Sequence, residues 1–93
     1  NNLLAHANTM GQYFKEKLLG LVTKFDAIET VRQQGLMIAL ALHENSKPYQ
    51  NACREAGLMV TVAGGTTLRI LPPLNTTTEE IDEAVAIIES VFS

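Results

Sequence analysis

Leu58-Met59-Val60-Thr61-Val62-Ala63-Gly64-Gly65-Thr66-Thr67-Leu68-Arg69-Ile70-Leu71-Pro72-Pro73 sets two apolar runs on either side of a glycine pair and stops the second run against two prolines. Glycine takes positive φ without steric cost, so Gly64 and Gly65 suit a tight turn between paired strands spanning 58–63 and 66–71. Proline has no N–H to give to a ladder, and pairing is expected to end near Pro72. Side chains alternate along a strand, which sends Leu68 and Ile70 to one face and Thr67, Arg69 and Leu71 to the other. The aliphatic face should meet helices, leaving Arg69 on the far side of the sheet. Its guanidinium stays charged at any physiological pH and presents a planar fork of donors that matches a carboxylate. Arg69 is therefore either a solvent-facing arginine on a half-exposed sheet or the anchor of an anionic ligand, and the residues alone leave both open.

Outward from the hairpin, the same kind of pattern assigns the remaining elements. Leu4, Ala7, Gly11, Phe14, Leu18, Leu21 and Phe25 recur at spacings of three and four, an amphipathic helix. Gly20 costs such a helix about 1 kcal/mol relative to alanine, so the helix is expected to end there and leave 21–25 as a packed connection. Ile28 to Arg32 and Leu36 to Leu42 read as two strands around a Gln33-Gln34-Gly35 break. Ser46 with Pro48 marks a second helix start that Gly57 closes, with Tyr49, Ala52, Cys53 and Ala56 on one side. Thr77-Thr78-Glu79-Glu80 has capping-box spacing and opens a last helix whose apolar stripe is Ile81, Ala84, Val85, Ile88 and Val91. This order predicts an α+β fold, a small, mostly antiparallel sheet with helices packed on one face, over residues 1–93 as a single domain.

Composition narrows the function classes. A net charge of -3, with seven scattered basic residues, lacks the basic face of a nucleic-acid binder. No stretch reaches the twenty or so apolar residues of a membrane helix, and Asn1-Asn2-Leu3-Leu4 lacks the basic start of a secretory signal, so a soluble, cytoplasmic protein is expected. One cysteine, Cys53, forms no internal disulfide and fits a reducing compartment. The chain also opens without methionine in apparent mid-helix, as a piece of a longer polypeptide would.

No complete catalytic apparatus emerges from the residues. His6 and His43 have no Cys, Asp or Glu at metal-ligand spacing, so no metal is expected. Cys53 reads as a small buried hydrophobe, and Ser46 and the threonines near Thr76 as helix caps without an activating base. Lys15, Lys17, Lys24 and Lys47 lie in polar contexts, whereas a Schiff-base lysine needs a desolvated pocket.

Val31-Arg32-Gln33-Gln34-Gly35-Leu36-Met37, Ala56-Gly57-Leu58-Met59-Val60, and 63–74 running on into 77–82 resemble the carboxy-terminal small domain of class III pyridoxal-phosphate aminotransferases, fold type I enzymes. The last segment is most similar to the acetylornithine-type members. The resemblance implies that Arg69 grips the α-carboxylate of an amino-acid or 2-oxo-acid substrate while a larger domain of the same enzyme holds the pyridoxal phosphate. It also implies that the aldimine lysine lies before Asn1, that the complete enzyme is a homodimer working with 2-oxoglutarate in arginine or lysine biosynthesis, and that the fragment alone is inactive and binds no cofactor. In one departure, Gln33 follows Arg32 where family members usually carry glycine, which points to a different local turn; Arg32 itself is read as structural. Two other classes remain open on the residues: a free-standing regulatory module that binds an amino acid through Arg69, and a protein-interaction domain using the apolar faces of the first helix and of 36–42. Ornithine and 4-aminobutyrate transaminases are the alternatives within the family.

Overall fold

The structure is a computed structural model that describes residues 2–93. Three helices, α1 (Asn2–Lys24), α2 (Lys47–Glu55) and α3 (Thr78–Phe92), accompany four strands, β1 (Ile28–Gln34), β2 (Met37–Leu42), β3 (Thr61–Ala63) and β4 (Thr67–Ile70). The strands form one sheet in the order β1-β2-β4-β3, and every pairing is antiparallel. The α+β expectation is met.

β2 and β4 pair at the centre with Ile38 opposite Ile70, Ala39 opposite Arg69 and Leu40 opposite Leu68. Ile38, Leu40, Leu68 and Ile70 are buried and join one core with Phe14 and Leu18 of α1 and Ile81 and Ile88 of α3. Three side-chain contacts tie the start and the end of the chain: His6 Nε2 donates to the Thr76 carbonyl at 2.7 Å, Tyr13 Oη donates to Asp82 Oδ1 at 2.7 Å, and Lys24 pairs with Glu89. Both hydrogen bonds are within the ordinary length range.

α1 does not stop at Gly20. It runs on to Lys24, because burying Leu18 and Leu21, about 1.5–3 kcal/mol each, outweighs the roughly 1 kcal/mol that a helical glycine costs. β1 likewise runs past Arg32 to Gln34, so the turn to β2 is only Gly35 and Leu36, with Gly35 at φ 57°. Glycine at the first central position of a two-residue hairpin loop gives the backbone twist that adjoining strands need. Gln33, expected to disturb a turn, is in the strand opposite Ile38, and its side-chain amide donates to the Gly35 carbonyl at 2.7 Å.

Gly64 and Gly65 take the positive φ angles expected of them, 62° and 80°. The flanking strands are shorter than expected. Leu58 to Val60 leave the ladder because the end of α2 claims them: Leu58 N donates to the Cys53 carbonyl and Gly57 N to that of Arg54, the double closure of a helix end on a left-handed glycine. Gln50 Nε2 then takes the Val60 carbonyl. Ser46 precedes α2, but its side chain caps nothing; Ser46 Oγ and N both donate to the Gly65 carbonyl, fastening α2 to the hairpin turn. Ala56 is exposed and not part of a packed side. The capping box on α3 is present in both directions, Glu80 N to Thr77 Oγ1 and Thr77 N to Glu80 Oε1.

Gly11 lies where α1 crosses the β1-β2 turn. A Cβ there would sit 1.8 Å from the Gly35 carbonyl oxygen, and backbone cannot swing aside. Gly11→Ala is expected to destabilise the fold by about 1–3 kcal/mol or more, as overpacking against a fixed wall does. Gly20→Ala, with nothing within 4 Å of its Cβ, should stabilise it by about 0.5–1 kcal/mol. Urea denaturation of the two variants checks the pair; equal midpoints would mean that α1 does not rest on Gly35.

Candidate functional site

The alternation that buries Leu68 and Ile70 turns Arg69 to the other side of the sheet, where it is exposed. Register extends that position into a row across all four strands: Arg32 on β1, Ala39 on β2, Arg69 on β4 and Thr61 on β3. The neighbouring row on the same face is Thr30, Ala41, Thr67 and Ala63. Arg32, Thr61 and Arg69 are all exposed on this face, which is opposite to the core side chains of the same strands. Ala39, half-buried, lies between the two arginines of this row, while Ala41 in the neighbouring row is buried.

Arg69 borders a shallow hollow of about 280 Å³ lined also by Met37, Met59, Thr61 and Leu71. Met59 and Leu71 are 79% and 67% exposed, an apolar rim around a cation. Among the described residues, the ion pair found is Lys24 with Glu89 on the helical side, and the Arg69 guanidinium makes no hydrogen bond or salt bridge. An exposed guanidinium with its fork free and apolar walls beside it can bind an anion bidentately.

The other residues weighed in the sequence are apart from this face. Cys53 is fully buried against the core, and burial pushes its thiol above the ordinary range. His6 is held at the Thr76 carbonyl, and Thr76 is itself buried. Among the described residues no three of His, Cys, Asp and Glu come together as a metal site, and no helix is long and apolar enough to cross a membrane. Tyr13 and Tyr49 both have raised pKa values, first because each hydroxyl donates to a carboxylate, Asp82 and Glu44 respectively. Neither faces the Arg69 row.

Arg32, read from the sequence as structural, shares its register row with Arg69. Its place beside Ala39 follows only when the hairpin turn is set at Gly35-Leu36; a break of three residues hides the register. Counting outward from a two-residue turn at Gly35, Arg32 falls opposite Ala39 and so in line with Arg69.

A sequence profile described as Aminotransferase class-III matches residues 1–92. The chain belongs to this family. It is 40% identical over 84 residues to an ornithine aminotransferase of Staphylococcus epidermidis, covering 90% of this chain and 21% of that protein. An acetylornithine aminotransferase of Clostridium acetobutylicum is 38% identical over 84 residues, covering 90% and 22%. Among solved structures, the acetylornithine aminotransferase of Elizabethkingia anophelis superposes with a TM-score of 0.91 at 30% identity, covering 98% of this chain and 25% of that one. A lysine aminotransferase from M. tuberculosis gives 0.90 at 31% identity, covering 97% and 21%. The chain therefore spans about a fifth of the length of the curated relatives it matches.

The buried thiol of this class-III aminotransferase segment gives a direct check of its packing. Cys53 is expected to react with a thiol reagent at pH 7–8 at least a hundredfold more slowly in the folded chain than in urea. Because the folded thiol titrates above its unfolded value of about 8.5, it contributes stability that is present below that pH and is lost as pH rises through the folded pKa. Equal reaction rates with and without urea would show that α2 is not packed down.

Proposed function

We propose that this chain is the carboxylate-gripping small domain of an acetylornithine-type transaminase, in which Arg69 binds the α-carboxylate of the amino-acid donor and of the 2-oxo-acid acceptor. The observation that carries this reading is the unpaired guanidinium of Arg69 on the helix-free side of the central β2-β4 pair. A residue on a paired strand has little backbone freedom, so its charge is positioned before the ligand arrives, and little ordering cost remains. Arg69 cannot exchange protons at working pH; its part is to hold the carboxylate and fix the orientation of the carbon that carries the amino group.

Transamination needs a carbonyl cofactor, and class-III aminotransferases use pyridoxal phosphate as the acceptor of the amino group. The residues of this chain do not fit that group. Lys17, Lys24 and Lys47 are exposed, and Lys15 is on α1, across the sheet from Arg69. In this reading the cofactor, its lysine and the surfaces that make the homodimer belong to a larger domain of the same enzyme, and this segment alone is inactive. The acetylornithine branch is favoured by the hairpin wording from Ala63 to Leu74 and supported by two acetylornithine relatives. Ornithine is the competing donor, since a 40% identical relative carries that name. Both donors present the same α-carboxylate to Arg69. A cytoplasmic setting and a role in amino-acid biosynthesis complete the proposal; a free thiol at Cys53 suits a reducing compartment.

In the complete enzyme, Arg69→Ala is expected to lower kcat/KM for acetylornithine and for 2-oxoglutarate by about ten- to a hundredfold, roughly 1.5–3 kcal/mol of charge-assisted hydrogen bonding. Arg69→Lys should recover only part of the loss, because a point charge cannot reproduce the fork. Unchanged kinetics for both substrates would remove Arg69 from the site. Ornithine assayed beside acetylornithine ranks the two donors.

A further inference from the structure

The residue opposite Arg69 across the β3-β4 pair is Thr61, and both are exposed. Directly opposed residues of an antiparallel pair hold their Cβ atoms roughly 4.5–5.5 Å apart on the same face, close enough for one small group to touch both side chains. Thr61 also lines the hollow of about 280 Å³ that Arg69 borders, together with Met37, Met59, Val60 and Leu71. Of these lining residues, Thr61 and Arg69 alone carry a strong side-chain hydrogen-bond donor, and none is an acid. The Thr61 hydroxyl is uncommitted. Thr9 and Thr23 turn their hydroxyls back to helix carbonyls, Ala5 at 3.0 Å and Gly20 at 3.1 Å, and Thr77 caps α3, whereas the Thr61 side chain makes no hydrogen bond among the described residues. It does not hold the Arg69 guanidinium either.

A carboxylate has more acceptor capacity than one guanidinium fills. Its two oxygens offer about four lone-pair sites, and a bidentate fork takes one on each oxygen. In open water the others go to solvent. Met37, Met59 and Leu71 flank the fork, and a carboxylate seated among them gives up part of its hydration, so a lone pair left without a donor costs free energy. The Thr61 hydroxyl is the remaining side-chain donor in the hollow. Threonine is stiff at its first torsion, so little rotamer freedom is lost when that hydroxyl engages.

We propose that Thr61 is a second binding residue for the α-carboxylate, donating its hydroxyl proton to an oxygen that the Arg69 fork also holds. This rests on the carboxylate role of Arg69 and adds a neutral donor beside the charge. Fork and hydroxyl come from strands paired to each other, so their spacing is set before the substrate arrives. No bond is made or broken. The α-carboxylate is common to amino donor and 2-oxo acceptor, so Thr61 serves both substrates.

The test uses the complete enzyme with Thr61→Val, which keeps the branched shape and loses the hydroxyl, and Thr61→Ser, which keeps the hydroxyl. Thr61→Val should raise KM for acetylornithine and for 2-oxoglutarate about tenfold with kcat within about twofold, while Thr61→Ser stays within about threefold of the parent enzyme for both substrates. Valine suits an exposed strand position, so the thermal midpoint of Thr61→Val should not fall. In an Arg69→Gln background, Thr61→Val should add less than about twofold, because two residues on one carboxylate are not additive. Unchanged KM in Thr61→Val beside an impaired Arg69→Gln would overturn the inference and leave the α-carboxylate reading standing. Equal losses in Thr61→Val and Thr61→Ser, or a full tenfold loss persisting in the Arg69→Gln background, would overturn it too, since the hydroxyl would then not be acting with the fork. If Arg69→Gln is silent for both substrates, the α-carboxylate reading fails and the role of Thr61 falls with it.

Discussion

The register of β2 against β4 is the constraint on which the rest depends. With Leu40 opposite Leu68 and Ile38 opposite Ile70, four large aliphatic side chains enter the helical layer and Arg69 is forced out of it. A slip of one residue would exchange the faces. It would expose side chains whose burial is worth about 1.5–3 kcal/mol each, and would drive an unpaired guanidinium into a core with no acid to meet it. Both penalties act in the same direction, so the outward aim of Arg69 is enforced by the packing of its neighbours. Arg69 is set in place by apolar groups on the opposite face of the strand pair.

The same logic reaches Arg32 through a different contact. Its row position depends on the β1-β2 hairpin, and that hairpin is fixed from above by α1, whose Gly11 leaves just enough room for the Gly35 carbonyl. Helix, turn and edge strand are therefore coupled: the absence of one methyl group at Gly11 lets α1 approach the turn, and the turn sets Arg32 opposite Ala39. Ser46 does the corresponding work at the other end, holding the Gly65 carbonyl and so the hairpin that carries Arg69. Both arginine-bearing hairpins are clamped at their turns by polar or close backbone contacts, while their strands are held by apolar ones.

Much of this was readable before the structure. Period-two alternation around Gly64-Gly65 gave the face of Arg69, and the reciprocal spacing of Thr77 and Glu80 gave the start of α3, because both depend on neighbours a few residues away. The readings that failed depend on distant partners. Gly20 reads locally as a helix end, but the core that pulls Leu21 inward is supplied by other elements. Ser46 reads as a cap, yet its hydroxyl goes to a glycine nineteen residues on. The row that Arg32 shares with Arg69 is hidden for the same reason, because a sequence without register cannot show which residues of β1 and β4 line up. The family, too, was legible in the residues; the role of Arg69 in it remains a matter of chemistry rather than pattern.

A face built this way separates two demands that a single residue would meet badly. Chemistry at an amino group needs groups whose protonation changes, and such groups are sensitive to every shift in burial or neighbouring charge. Recognition of a carboxylate needs a charge that does not change. Guanidinium side chains on a rigid antiparallel sheet supply the second demand alone, with charge independent of pH and geometry independent of side-chain packing in the reacting centre. In this segment the two arginines are exposed on the sheet while the one thiol is buried in the core, so fixed charge and titratable sulfur are kept apart. Lysine in the Arg69 position would keep the charge and lose the fork, and with it the planar pair of donors that matches a carboxylate.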